Sequence, residues 1–469
     1  MEQNQLIDKI IFSKTTKMHK ENRIITEEDF LKKKKKVKSC VQYILEKSKK
    51  YAQFVEIYSK IKIGCTISIR FKEIENIEFH NRNYIKISIY PNIRKKGTTV
   101  IRNLDEAAIF KSIKQAYQIS KYTSKDDSFY PTEKQLLIPL SKNLDIFHPK
   151  NIKISGILEI LKKIENSIFS FDKKIFSTEG IQFSCFFSNT GFANYEIEKN
   201  YDSSLYTYSC SAIAKYKNSM EFSNQYSINR KFANLLNPYE LGKKCAQKAV
   251  NKLNPIKICT RKTPIIFFSE ISSELFRILY LSIHGRNVYK KSSFLYKSLE
   301  KKIFPNWMNI VELPHIKNGI FSFPFDSEGV STKTIKIVHK GILKNWLLDN
   351  YSARKMHLKS NAHHNSVYNW KVFSKNISFS EILKKMYNGI LITEIMGDGE
   401  NITTGDYSKG CSGFLIEKGS IKNPIKEIAI SGNLKNMFQN IVCISNDINY
   451  ENEIQCGSVL ISEMQVSGI

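Results

Sequence analysis

The sequence holds no C-x-x-C pair, no H-E-x-x-H arrangement and no apolar run of membrane-spanning length, and each absence removes a class of function. Its nine cysteines (Cys40, Cys65, Cys185, Cys210, Cys245, Cys259, Cys411, Cys443, Cys456) are odd in number and far apart. That spacing argues against a disulfide framework or a zinc ribbon and for free thiols in a reducing compartment. The longest apolar clusters, around 265–268 and 275–283, fall short of the roughly 18 residues a membrane helix needs. Between Met1 and Arg23 no apolar stretch precedes a small-residue cleavage site. A cytoplasmic protein without a membrane partner is expected. Glycine is scarce over most of the chain, which makes its one local concentration informative.

What is present bounds the rest. At 469 residues with 42% hydrophobic content, the chain is long enough for two or more domains with sizeable cores. A formal charge of +28 attracts nucleic acid and other anions. The lysines are dispersed rather than gathered in a stripe, and Lys, Ile and Asn share A/T-rich codons, so nucleic-acid binding is an alternative and not the leading function. The densest run, Lys32 to Lys36, reads as the solvated face of a helix buried through Phe30, Val37, Val41 and Ile44 or Leu45.

Local patterning predicts an α+β fold, with an N-terminal helix and antiparallel sheet followed by a larger, strand-rich C-terminal domain. Thr26 caps the first helix, with Asp29 at its third position and Ile25 stapled against Phe30. Period-two alternation marks strands at 54–61, 65–72 and 84–90, then a short strand through Val100 and a helix at about 104–120. Residues 1–125 thus form the first domain, and 126–150, with Pro131, Pro139 and Pro149, read as a connector across the surface. The middle region, 151–257, begins with a helix (Ile157, Leu158, Leu161 and Ile164 on its buried face), continues as hairpins to about Ser227 and ends in a helix at 238–253. In the C-terminal domain, 258–469, a strand at 264–268 feeds a helix at about 269–283, and strands and turns dominate beyond Gly319.

No complete catalytic constellation is visible. None of the nine histidines is followed by Glu, and His357, His363 and His364, six and seven residues apart, read as a surface loop rather than a metal site. Gly410-Cys411-Ser412-Gly413 lacks the final glycine of a nucleophile elbow, since Phe414 stands there. Cys411 would need a histidine partner, and none follows His364. The run from Thr404 to Gly410 lacks phosphate-loop spacing. Yet ten of the 20 glycines lie between 389 and 469, and five of them between 397 and 413. Glycine concentrates where φ is positive or backbones approach closely, so Met396–Gly413 is either a tight strand junction or functional backbone.

Thr393-Glu394-Ile395-Met396-Gly397 followed by Thr404-Gly405-Asp406-Tyr407-Ser408-Lys409-Gly410 resembles the C-terminal signature of the TldD/PmbA peptidase family. Asn433-Leu434-Lys435-Asn436-Met437, Asn446-Asp447 and Gln455-Cys456-Gly457-Ser458 match it as well. The segments 289–295, 324–330 (Pro-Phe-Asp-Ser-Glu-Gly-Val) and 351–355 resemble the PmbA (TldE) type rather than the TldD type, and 73–79 and 147–149 agree. The resemblance covers nearly the whole chain.

It implies a cytoplasmic two-subunit metalloprotease. A TldD-like partner carries zinc in an H-E-x-x-x-H motif, and the PmbA-like subunit shapes the substrate chamber. Substrates would be small or unfolded peptides, including leaders of modified peptide precursors and antitoxins. The segment corresponding to the zinc motif is 269–274: Glu270 matches the acid, while Ser269 and Glu274 occupy the histidine positions. Cys456 is the counterpart of the family's third ligand. Two carboxylates and a hydroxyl hold zinc poorly without imidazole or a second thiolate. The expectation is therefore a non-catalytic subunit that binds no cofactor itself. Its substrate-chamber or partner contacts fall at Thr404, Gly405, Asp406, Tyr407, Ser408 and Gly410. A self-sufficient peptidase with unrecognised metal ligands is the alternative.

Overall fold

Thr26 does cap the first helix, α1 (Glu27–Ser48). Its hydroxyl accepts from the Asp29 amide at 3.1 Å, while the Asp29 carboxylate accepts from the Thr26 amide at 3.2 Å. Ile25 and Phe30 are both buried in the same core, as a staple requires. The structure is a computed structural model that describes residues 25–138, 143–364, 367–373 and 375–468. The expectation for Met1–Arg23 and the reading of Pro139 as part of the connector lie outside the described residues.

Two strands read separately from sequence are one: β1 (Phe54–Arg70) runs without a break through Gly64. It turns at Phe71 and Lys72, both with positive φ, into β2 (Glu73–Tyr90). A two-residue hairpin of that conformation suits the natural strand twist, but without glycine it is costly. Support comes from Glu165, fully buried, which accepts from the Phe71 amide at 2.7 Å and the Lys72 amide at 2.6 Å.

β3 (Gly97–Ile101), β2 and β1 continue through β5 (Ile181–Ala193) and β6 (Glu198–Tyr216) to β4 (Ile175–Ser177), with β7 (Ser219–Asn229) also paired to β6. Residues 54–101 and 175–229, read from sequence as belonging to separate units, therefore share one seven-stranded sheet, joined by thirteen register pairs between β1 and β5. Helices α1, α2 (Glu106–Tyr122), α3 (Ile154–Phe169) and α4 (Pro238–Asn251) bury their apolar stripes with it in a single core. The segment after α2 lies largely at the surface but is anchored at several points. Leu137, Leu144 and Ile146 are buried, and the Arg354 guanidinium holds the carbonyls of Ser128, Tyr130 and Pro131.

The C-terminal part is built on a second sheet. Strand β8 (Arg261–Phe267) lies between β13 (Gly389–Met396), parallel to it, and β18 (Val459–Ser467), antiparallel. β13 pairs with β14 (Asp406–Glu417), and β14 with β15 (Ser420–Asn433). β15 also pairs with β18, which closes the five strands into a ring, and β16 (Ile441–Ile444) extends from β18. Helix α5 (Ser273–Ile283) follows β8. A five-stranded sheet packs into the same core, in the order β11 (Ile342–Leu343), β10 (Ile335–His339), β9 (Ile310–Glu312), β12 (Trp370–Val372) and β17 (Ile454–Gln455).

Candidate functional site

Where β8 ends, the carbonyl of Phe268 accepts from the amides of both Ile271 (2.9 Å) and Ser272 (2.8 Å). The chain is thereby curled into a tight turn, and α5 starts at Ser273 rather than at Ser269 as the periodicity suggested. Ser269 and Glu270 consequently precede the helix, while Glu274 sits in its first turn. The three are not displayed on one helical face. The Ser269 amide donates to the Ser458 hydroxyl at 3.0 Å, and both Glu270 carboxylate oxygens take the Lys248 ammonium at 2.6 Å.

This turn forms part of the wall of a cavity of about 1080 Å³ between β7 and α4 on one side and the closed ring of strands on the other. Lys248 in the last turn of α4 and Lys252 at its C-cap reach across it to Glu270 and Glu394. Glu451, which also lines it, accepts from the Ile228 amide at 3.1 Å, and burial raises its carboxyl above the ordinary range. Asp447 accepts from the Ser458 amide at 2.8 Å and from its hydroxyl at 2.7 Å. No histidine or cysteine is among the lining residues.

The cavity floor includes a strand edge. β13 pairs with β8 only through Ile390, Leu391 and Ile392, yet runs on to Met396 against β14. On its β8 side, Thr393–Met396 has no backbone pairing among the described residues, and all four residues line the cavity. An open edge of this kind accepts an extended peptide through main-chain hydrogen bonds, largely independent of side-chain sequence.

The glycine-dense stretch is the loop from β13 to β14 and the hairpin beyond it. A Cβ on Gly399 would lie 1.6 Å from the Ser408 carbonyl oxygen, and Gly405 has φ +86°. Both positions therefore demand glycine. Across the loop, the buried Lys409 ammonium meets Glu400 at 2.7 Å. Thr404, Asp406 and Ser408 are exposed, Gly405 and Tyr407 buried, and Gly410 half-buried. The Thr404 hydroxyl donates to Asp406 at 2.6 Å. These six residues stand together at a hairpin corner, and none of them lines the cavity, whereas Met396 does.

The histidine reading needs correction. Only His357 is exposed; His363 is fully buried and His364 half-buried. Both ring nitrogens of His363 are engaged, Nε2 with Glu312 at 2.6 Å and Nδ1 with Asn361 at 2.8 Å. His364 instead faces Glu328 and Asp349. The acidic partners come from segments up to 51 residues away, so spacing among the histidines alone could not reveal them. Lys248 and Lys252 were likewise missed, because an i,i+4 lysine pair carries no signal in so lysine-rich a chain.

The family model of the PmbA/TldA metallopeptidase C-terminal domain matches residues 260–468, and that of the central domain matches 147–253. The Metalloprotease PmbA homolog of Buchnera aphidicola subsp. Acyrthosiphon pisum is 43% identical, covering 92% of this chain and 96% of its own length. Metalloprotease PmbA of Escherichia coli O157:H7 is 38% identical over 93% and 97%. The crystal structure of TldE from Thermococcus kodakarensis superposes with a TM-score of 0.77 at 16% identity, over 92% of this chain and all of that one, and so shares the fold. The chain belongs to the PmbA/TldD metallopeptidase family.

The family description implies a metal, and the segment 269–274 does not fit one. Glu270 is neutralised by Lys248. Burial drives the Cys456 thiol upward, away from the thiolate a metal requires, and it donates to the Gly457 carbonyl at 3.2 Å. Among the described residues, three or more His, Cys, Asp or Glu ligand atoms converge within 4.8 Å at one place, Glu328, Asp349 and His364, which excludes this segment.

Proposed function

We propose that this chain is the peptide-holding, non-catalytic subunit of a two-subunit PmbA/TldD-type metallopeptidase, with a TldD-like partner supplying zinc and the hydrolytic chemistry. The open edge of Thr393–Met396 in the floor of the 1080 Å³ cavity carries the reading. It offers main-chain hydrogen bonds to a small or unfolded peptide, such as a precursor leader or a degraded antitoxin, while the adjacent Ser269–Glu274 lacks the donors to activate water. The exposed corner at Thr404, Asp406 and Ser408, with Gly405, Tyr407 and Gly410 behind it, is assigned to partner contact. We place the complex in the cytoplasm, in keeping with nine unpaired thiols. We retain a domain boundary near residue 258, where the closed ring of strands begins.

The test is to purify the chain alone and together with a TldD-like subunit, measuring bound metal and cleavage of an unstructured peptide. Co-purification, with cleavage by the pair alone, is the expected result. Peptide cleavage by the lone chain with zinc bound at 269–274 would overturn the non-catalytic assignment. Failure of the two chains to associate at micromolar concentration would remove the partner.

A further inference from the structure

Glu328 in a turn, Asp349 at the N-cap of the short helix Asn350–Lys355 and His364 in a bend meet beside a cavity of about 220 Å³, away from the peptide-sized one. Each carboxylate has one oxygen tied down and one left over. Glu328 Oε2 accepts from the Asn350 amide at 2.8 Å, and Asp349 Oδ1 accepts from the Ser352 amide at 2.7 Å. The remaining oxygens, Glu328 Oε1 and Asp349 Oδ2, lie 3.4 and 3.5 Å from His364 Nδ1. The histidine is itself positioned, since its amide donates to the buried Asp326 carboxylate at 3.2 Å.

Three features single this cluster out. First, His364 Nδ1 is buried and its polar neighbours are the two carboxylates, at 3.4 and 3.5 Å, long for hydrogen bonds. Second, neither Glu328 nor Asp349 pairs with a lysine or arginine among the described residues, although their side chains are only 11% and 7% exposed. Lys96 and Arg286 stand in the cavity wall, and Arg354 is occupied by three backbone carbonyls. Third, the three donor atoms converge within 4.8 Å of one another, a spacing compatible with ligands of one ion. Donor atoms about 2.0–2.1 Å from a tetrahedral zinc lie about 3.3 Å apart. Backbone amides that orient each carboxylate act as a metal's outer shell does. The cavity leaves room for a water in the fourth position.

We propose that Glu328, Asp349 and His364 form a divalent-cation site suited to Zn²⁺, with two oxygens and one imidazole nitrogen as ligands. It is separate from Ser269–Glu274 and independent of the peptide-holding role. The same segments hold residues 126–138: the Glu328 carbonyl accepts from the Thr132 hydroxyl at 3.1 Å, and the Asn350 side-chain amide donates to that hydroxyl at 2.8 Å. A bound cation would therefore fasten that segment to the C-terminal half.

The test uses the full-length chain, stripped with chelator and titrated with Zn²⁺, then with Mn²⁺. One Zn²⁺ per chain is expected, with a rise in thermal midpoint on loading. His364→Gln and Glu328→Gln should each weaken binding by at least about tenfold, while Cys456→Ser leaves it unchanged. X-ray absorption on the zinc-loaded wild type needs no variant to fold, and should show oxygen and imidazole neighbours without sulfur. Absence of binding at micromolar zinc, a sulfur shell, or full affinity in both folded variants would overturn the site and leave the cluster as a structural clasp.

Discussion

Glu165 shows how much one buried side chain can decide. Two consecutive non-glycine residues hold positive φ at the β1–β2 turn, and this carboxylate takes both of their amides. Glu165→Gln keeps one acceptor and sets an amide donor against the other N–H. A loss of about 1–3 kcal/mol is expected by denaturant unfolding, the range for a buried charged acceptor left half satisfied. The cysteines make a second prediction at this scale. Eight are buried and Cys259 is exposed; burial pushes the thiols of Cys65 and Cys411 up to about 12. A thiol reagent should titrate one group rapidly in the native chain and nine after unfolding, and Cys259→Ser should abolish the fast phase.

The glycine-dense loop is legible at the scale of elements. Its glycine content was visible in the sequence, and its geometry gives the reason at Gly399 and Gly405. The clamp across it, Glu400 with Lys409, was not visible, because nine residues of loop bring the two together. Burial raises the Glu400 carboxyl, but its bond to Lys409 and the Gly399 amide outweigh that and leave it below the ordinary range. A lowered carboxyl contributes stability that is fully present above its unfolded pKa and is lost as pH falls through the folded one. Unfolding followed from pH 7 down to pH 3 should show this loss in wild type. In Glu400→Gln the acid-side slope should be smaller, with a cost at pH 7 of about 1–2 kcal/mol. Exposed Asp406 offers the contrast: Asp406→Ala should leave stability within about 0.5 kcal/mol yet weaken association with the TldD-like subunit. Tyr407 cannot serve that test, since it is buried and its removal would open a cavity.

At the scale of the molecule, the cavity exists because two bodies of structure meet: the seven-stranded sheet with α4, and the closed ring of strands. Lys248–Glu270 and Lys252–Glu394 tie its two walls together. Replacing Lys248 with Met should free the Glu270 carboxylate. If the wall geometry positions peptide, cleavage by the two-subunit complex should show a raised KM with kcat little changed. A fall in kcat alone would place Glu270 among the reacting groups instead. Among the described residues no helix is long and apolar enough to cross a membrane.

The sequence by itself determined the local vocabulary and the family. The α1 cap, the buried face of α3, the alternation of β1 and β2, the free cysteines and the ordered C-terminal motifs all rest on interactions between residues a few positions apart. Such interactions leave a period or a spacing that can be read. It also showed that the 269–274 segment contains no histidine, because identity at a position needs no coordinates. Only the tertiary structure decided that residues 54–101 and 175–229 share one sheet, that the chain after α2 is anchored through a few buried residues, that β13 outruns β8 and leaves an open edge, and that His364 meets Glu328 and Asp349. Each of these depends on segments distant in sequence, and strand partners or converging side chains brought together by chain topology leave no local period.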